Sequence, residues 1–185
     1  MIRGLTIFGP VVGALLALSP GNAAAETHAL VVGVSGYPAL AEALRLTGPK
    51  NDVREFANTL VRLGVPAGNA TVLADGVRDL AEGVATPGVG TKAAILAGLD
   101  RLAETGKRGD LAVFYFSGHG SQQPDLDGDE EGGADEVFLP YDVGHWNKAG
   151  IENALVDDEL REKIDRIRDK GIDVFGVIDA CHSAT

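Results

Sequence analysis

Short apolar runs alternate with segments of helical periodicity from about residue 27 onward. Four runs of β-branched, aromatic and aliphatic residues predict buried strands at His28–Val34, Ala70–Leu73, Leu111–Phe116 and Asp173–Ile178. Apolar residues spaced three and four apart predict helices at Asn51–Leu63, Lys92–Glu104 and Val156–Lys170. Alternation of strands and helices is typical of an α/β fold, in which right-handed crossovers build a parallel sheet.

Polar and glycine-rich stretches predict how these elements begin, end and connect. Asn51 or Asp52 is an expected N-cap of the first helix, and Thr91 is the expected N-cap of the second. Asp75–Gly90 has no apolar period and predicts a surface loop. Ala39–Leu46 is compatible with either a short helix or a loop. Glu136–Pro140 predicts a small extended element.

The first 25 residues differ from the rest of the chain. Arg3 precedes an uncharged stretch with an apolar centre at Val11–Leu18, and Ala23-Ala24-Ala25 ends it. This pattern predicts a signal peptide, residues 1–25, cleaved from a single domain, residues 26–185. An uncleaved anchor is the alternative. Export predicts a periplasmic or secreted protein, with no membrane association after cleavage.

Composition narrows the classes of partner. The 185 residues carry a formal net charge of −11, which argues against nucleic acid or an anionic membrane as a partner and suits a cationic substrate. The chain has one cysteine, so no internal disulfide can form. In an oxidising compartment that cysteine is either inert and buried or a functional thiol.

Two strand ends carry the residues with the most reactive side chains. Leu111–Phe116 leads into Ser117-Gly118-His119-Gly120, and the last strand leads into Asp179-Ala180-Cys181. Chemistry in an open α/β sheet collects beyond the carboxyl ends of the strands, so we expect His119 to meet Cys181 there. The pair predicts a cysteine nucleophile with a histidine acid–base partner.

Supporting roles follow from the same two segments. A turn at Gly118-His119-Gly120 is expected, and the backbone N–H groups of Gly120 and Cys181 are candidate oxyanion donors. His182 is the competing base, although adjacent side chains diverge in extended structure. The alternative is an inert, buried cysteine, a common fate of a free thiol.

Four sequence blocks, taken together and in order, resemble the large (p20-type) catalytic subunit of caspase-like peptidases, in the bacterial form of the metacaspase branch. The blocks are His28–Val34, Leu46–Val53, Phe114–Gln122 and Asp179–Ser183. The resemblance implies a caspase-like three-layer sandwich, with a mostly parallel central sheet and helices on both faces. It also implies that His119 and Cys181 form the catalytic pair.

The resemblance implies a substrate and a metal as well. Metacaspases cleave after Arg or Lys, and Asp52, Ser117 and Asp179 match the acidic pocket that binds this residue. Without the resemblance, Asp52 reads equally well as a helix cap and Asp179 as a turn residue. Asp135, Asp157 and Asp158 match the family's calcium carboxylates; Ca²⁺ would be an activator, and no cofactor is required for the chemistry.

A sheet whose catalytic strand comes last would keep an open apolar edge, so we expect a chain truncated at its C-terminus. The implied partner is the family's C-terminal, small-subunit (p10-like) segment, with its strands. Our leading hypothesis is a cysteine endopeptidase acting on proteins or peptides after Arg or Lys. A non-catalytic regulatory or scaffolding homologue is the alternative, and a gingipain- or legumain-like peptidase is a third reading.

Overall fold

The structure is a computed structural model that describes residues 24–125, 128, 132–148 and 150–181. Of Cys181 it describes the backbone alone. The predicted signal peptide therefore lies almost wholly outside the described residues, as does His182. Within the described part of the chain, no helix is both long and apolar enough to cross a membrane.

Nine strands and three helices make up the domain over these residues. The strands are β1 (Thr27–Gly33), β2 (Ala70–Ala74), β3 (Ala85–Gly88), β4 (Leu111–Pro124), β5 (Ala134–Phe138), β6 (Trp146–Asn147), β7 (Gly150–Ile151), β8 (Leu155–Val156) and β9 (Asp173–Cys181). The helices are α1 (Pro49–Arg62), α2 (Lys92–Thr105) and α3 (Asp157–Asp169), with single 3-10 turns at Glu42–Leu44 and Ala67–Asn69. All four predicted strands and all three predicted helices are confirmed.

Strand β4 is the centre of the sheet. Its first half pairs in parallel with β1 on one side and β9 on the other, and β2 and β3 extend the parallel sheet beyond β1. Its second half forms an antiparallel pair with β5, which in turn pairs with β8. Strands β6 and β7 form a separate two-stranded sheet. The mostly parallel α/β architecture predicted from the sequence is confirmed.

Helices cover both faces of this sheet. On one face, Val53 and Ala57 of α1 pack against Val31, Val72 and Tyr115. On the opposite face, α2 and α3 bury a larger cluster that includes Leu30, Phe114 and Phe116 together with Leu99 and Ile167. Successive strand residues face opposite sides, which is why even-numbered β4 residues belong to one cluster and odd-numbered residues to the other.

Helix α1 begins earlier than predicted. Gly48 is its N-cap and Pro49 its first residue, so Asn51 and Asp52 lie within the first turn and the N-cap prediction for them is wrong. Proline is favoured at this position because the first helical N–H has no partner within the helix and the ring fixes a helical φ. Asp52 is thereby free of a capping role. The predicted N-cap of α2 is confirmed, with Thr91 Oγ1 accepting from the N–H of Ala94 at 3.2 Å.

Two loop predictions are wrong. The segment Asp75–Gly90 contains β3, a strand whose four residues are all exposed, and an exposed edge strand produces no apolar pattern to detect. The expected turn at Gly118-His119-Gly120 is extended backbone, because β4 continues to Pro124. His119 therefore lies inside a strand, where its position is fixed by neighbours on both sides.

Candidate active site

The register between β4 and β9 brings the two chemically reactive residues together. The strands pair without a break from Leu111 opposite Asp173 to His119 opposite Cys181. Paired residues on neighbouring strands lie about 5 Å apart and on the same face of the sheet. The fold thus places the cysteine and the histidine, 62 positions apart in the sequence, at one site.

The His119 ring is held by the loop that follows β1. Its Nε2 atom lies 2.8 Å from the carbonyl oxygen of Leu44, in the 3-10 turn Glu42–Leu44. A carbonyl oxygen can only accept a hydrogen bond, so Nε2 carries the proton of the neutral imidazole. Nδ1 is the ring nitrogen that keeps its lone pair, and a general base accepts a proton on such an atom.

The His119 backbone is held on the same side. Its N–H donates to the hydroxyl of Tyr37 at 2.8 Å, and its carbonyl oxygen accepts from the N–H of Leu139 at 2.9 Å. Peptide groups of successive residues in a strand point to opposite edges, so the N–H of Gly120 is directed to the other edge of β4, where β9 lies. At that edge the register pairs β4 with β9 as far as Cys181, so the oxyanion role expected for Gly120 stays a prediction.

Two carboxylates stand beside the pair on the α1 face. Ser117 is buried and donates from Oγ to Oδ2 of Asp52 at 3.2 Å. Asp179 is the β9 partner of Ser117, and its Oδ2 accepts from the hydroxyl of Tyr115 at 3.3 Å. The three residues predicted for a cation-binding pocket are thus brought to one region. Ser117 and Asp179 lie two positions before His119 and Cys181 on their strands, and Asp52 reaches them from α1.

Tyr115 links this region to the core. Its ring stacks on Phe56 with centroids 4.3 Å apart and planes inclined by 24°. Burial, followed by the negative charge of Asp179, raises the pKa of Tyr115 to about 12. The phenol stays protonated at physiological pH and remains a hydrogen-bond donor to the carboxylate.

The predicted calcium carboxylates lie elsewhere in the sheet, where β5 begins and β8 ends. Asp135 is buried; its Oδ2 accepts from Gln123 Nε2 at 3.2 Å, and its Oδ1 has no hydrogen-bond partner. Burial raises the pKa of Asp157, and the charges of Asp158 and Asp135 add to that rise. Asp158 is ion-paired with Arg161.

These three carboxylates are near one another without forming a ready metal centre. No group of three or more His, Cys, Asp or Glu side chains in the described part of the chain could hold a metal ion as it stands. The buried, unpaired Asp135 oxygen and the mutual repulsion of the three charges nevertheless fit a cation, because a hard divalent ion takes carboxylate oxygens.

Comparison with known proteins decides the family. Residues 27–185 match the family model described as "Metacaspase, peptidase C14 domain". The chain belongs to the metacaspase family.

Relatives of this metacaspase domain are found among fungi. It is 32% identical over 181 residues to Metacaspase-1 of Eremothecium gossypii, an alignment covering 91% of this chain and 36% of that protein. It is 34% identical over 158 residues to Metacaspase-1A of Aspergillus oryzae, covering 85% and 34% respectively. The chain therefore spans about a third of the length of these curated relatives.

The fold has a counterpart among solved structures. The crystal structure of protein GSU0716 from Geobacter sulfurreducens superposes with a TM-score of 0.63 at 24% identity, covering 86% of this chain and 52% of that one. Together with the family match, this agrees with the caspase-like α/β sandwich expected from the sequence.

Three residues of the candidate site in this metacaspase domain were not predicted from the sequence. Leu44 contacts His119 through its backbone carbonyl oxygen, and the pattern of side chains in the sequence cannot indicate a backbone contact. Tyr37 and Tyr115 read as ordinary apolar residues at a strand end and within a strand. Only the alternation of β4, which puts Tyr115 on the face of Ser117 and His119, could have pointed to one of them.

Proposed function

We propose that the protein is a cysteine endopeptidase in which Cys181 is the nucleophile and His119 the acid–base partner. The observation that carries this proposal is the register of β4 and β9, which pairs the two residues across neighbouring strands. The fixed ring of His119 supports it, because a base must present a lone pair in a defined direction. The family match supports the same class of activity.

The proposed reaction has two halves. Nδ1 of His119 takes the thiol proton, and the sulfur attacks the carbonyl carbon of the peptide bond. The carbon–nitrogen bond then breaks, His119 delivers its proton to the leaving amine, and a thioester to Cys181 remains. Water, activated by the same imidazole, hydrolyses the thioester. The amide groups of Gly120 and Cys181 are the proposed donors to the developing oxyanion.

The proposed substrate is a protein or peptide with Arg or Lys on the amino side of the cleaved bond. Asp52, Ser117 and Asp179 form the proposed pocket for its side chain, because two carboxylates attract a cation and repel an acidic residue. The formal charge of −11 favours approach of such a substrate.

We also propose Ca²⁺ as an activator, held by Asp135, Asp157 and Asp158. Bound calcium would supply positive charge that offsets the repulsion among these carboxylates, and it takes no part in the chemical step. A chelator should lower activity and Asp158→Ala should reproduce that loss, whereas Asp165→Ala, on the exposed part of α3, should not. Activity unchanged by the chelator would remove calcium from the proposal.

Two further proposals concern the context of the domain. An additional C-terminal segment packs beside β9, where the side chains of Phe175 and Ile178 are 56% and 42% exposed.

The protein is exported by its N-terminal signal to the periplasm or the exterior. N-terminal sequencing of the protein recovered from each cell fraction tests the export and the cleavage after Ala25.

The decisive experiment measures hydrolysis of a fluorogenic arginyl peptide by Cys181→Ala and His119→Ala variants. Both should reduce kcat/KM to background, while His145→Ala, at a histidine remote from the pair, serves as the matched control. Turnover that survives Cys181→Ala would refute the mechanism. Loss in the control as well would show that the substitutions act through folding.

A further inference from the structure

The phenol of Tyr37 occupies a break in the hydrogen-bond ladder between β1 and β4. In a parallel pair, the N–H of one residue donates to the carbonyl oxygen of a residue on the neighbouring strand. The carbonyl oxygen of the same residue accepts from the N–H two positions after that neighbour. Val34 makes the first of these bonds, its N–H donating to the Ser117 oxygen at 2.9 Å. The next rung would run from the N–H of His119 to the oxygen of Val34.

The structure has a side chain in place of that rung. The N–H of His119 donates to the Tyr37 hydroxyl at 2.8 Å, and the hydroxyl donates to the oxygen of Val34 at 3.2 Å. A direct rung spans about 2.9 Å, whereas two bonds meeting at a hydroxyl span about 5 Å. The nitrogen of His119 and the oxygen of Val34 are therefore about 2 Å further apart than in a direct rung.

The surroundings are shaped for this phenol. Tyr37 is 1% exposed, and its ring contacts the His119 imidazole with centroids 5.0 Å apart. A Cβ atom at Gly118 would lie 3.0 Å from the Tyr37 hydroxyl and 3.1 Å from the Phe116 ring, so glycine is what leaves room for it. Burial raises the pKa of Tyr37, which keeps the hydroxyl protonated and able to donate to Val34.

We propose that Tyr37 is a positioning residue, whose hydroxyl keeps the β1–β4 ladder open at its last rung and so sets the distance of His119 from Cys181. The inference rests on the proposed function for its catalytic consequence, but its geometry does not. Without the hydroxyl, the N–H of His119 can bond directly to Val34, which draws this end of β4 toward β1 and shifts the imidazole relative to Cys181.

Kinetics of Tyr37→Phe test the consequence. The ring stays in the core, so we expect kcat to fall about 100-fold with KM within about twofold, since a displacement of about 1 Å in catalytic geometry has effects of that size. Tyr141→Phe is the matched control, because it removes the hydroxyl of a nearby tyrosine that, within the described residues, takes no part in the β1–β4 ladder. A kcat within twofold of the unaltered protein, or an equal loss in Tyr141→Phe, would overturn the inference.

Two measurements need no turnover. In the unaltered protein, the Tyr37 hydroxyl proton should exchange slowly and show a nuclear Overhauser effect to the amide proton of His119; absence of both signals contradicts the geometry. Alkylation of Cys181 by iodoacetamide should slow in Tyr37→Phe and not in Tyr141→Phe. If Cys181→Ala were to keep full activity, the proposed function would fail, while the hydroxyl signal would still decide the Tyr37 geometry.

Discussion

Replacing Asp52 by Asn should weaken cleavage after arginine far more than replacing Asp179 does. Both residues lie in the proposed pocket, yet Asp52 is half-buried and bonded to the buried hydroxyl of Ser117, whereas Asp179 is exposed and bonded to Tyr115. Water screens an exposed charge much more effectively than a half-buried one. The two substitutions remove the same charge from different surroundings.

The magnitudes follow from burial. Two unit charges 4 Å apart attract by about 4 kcal/mol at an effective dielectric constant near 20, and removal of one partner of a desolvated pair costs about 2–5 kcal/mol. We take about 2–3 kcal/mol for Asp52→Asn, which is on the order of 30- to 150-fold in kcat/KM. Exposed pairs contribute at most about 1 kcal/mol, or roughly fivefold, and this is the expectation for Asp179→Asn.

The assay compares fluorogenic peptides that differ only in the residue before the cleaved bond. Arginyl and lysyl peptides should lose activity in Asp52→Asn, and a peptide with an uncharged residue there should change less than about twofold. Asp165→Asn alters net charge equally at a remote, exposed site and controls for long-range attraction. Equal losses for charged and uncharged peptides would refute the pocket assignment, since they would mark a general effect on folding or on the catalytic pair.

Three predictions concern stability. Gly98→Ala should lower the free energy of unfolding by about 1–3 kcal/mol in urea titrations, because its Cβ would lie 2.7 Å from Leu30, whereas Gly68→Ala has open space and should change little. Thr91→Ala should cost about 1 kcal/mol through loss of the α2 cap, measured in the same way. Hydrogen bonds from the N–H groups of Glu26 and Lys107 lower the pKa of Asp110 in the folded protein. The stability that ionised Asp110 contributes is therefore present above its unfolded-state pKa and is lost as the pH falls through its folded-state pKa. In Asp110→Asn the urea midpoint should fall less steeply as the pH is lowered, and an unchanged pH dependence would contradict the assignment.

The parallel core of the fold was predictable because its strands are buried on both faces. Runs such as Leu111–Phe116 have no polar position to interrupt them, and the helices between them carry clear apolar stripes. Strand β3 escaped prediction because Ala85–Gly88 is exposed throughout and its pairing is backbone alone. The extension of β4 through the glycines of residues 118 and 120 escaped for a related reason, since glycine in sequence indicates a turn unless pairing on both edges holds it extended.

The candidate site divides in the same way between side-chain and backbone signals. His119 and Cys181 were found because both follow apolar runs and both have reactive side chains. The Leu44 carbonyl could not be found, since every residue has one and only the path of the loop selects it. Tyr37 was missed because a buried tyrosine after a strand resembles a core residue until its hydroxyl is seen between two peptide groups.

Strand β4 fixes the relative positions of His119 and Cys181, the two residues of the proposed reaction. The loop after β1 places the histidine through Tyr37 and Leu44, while the pairing of β9 places the cysteine. A shift of β9 by one residue would set Ala180 or residue 182 opposite His119 and carry every β9 side chain to the other face of the sheet. It would also separate Asp179 from Ser117, so the pocket and the catalytic pair depend on one register and would be lost together.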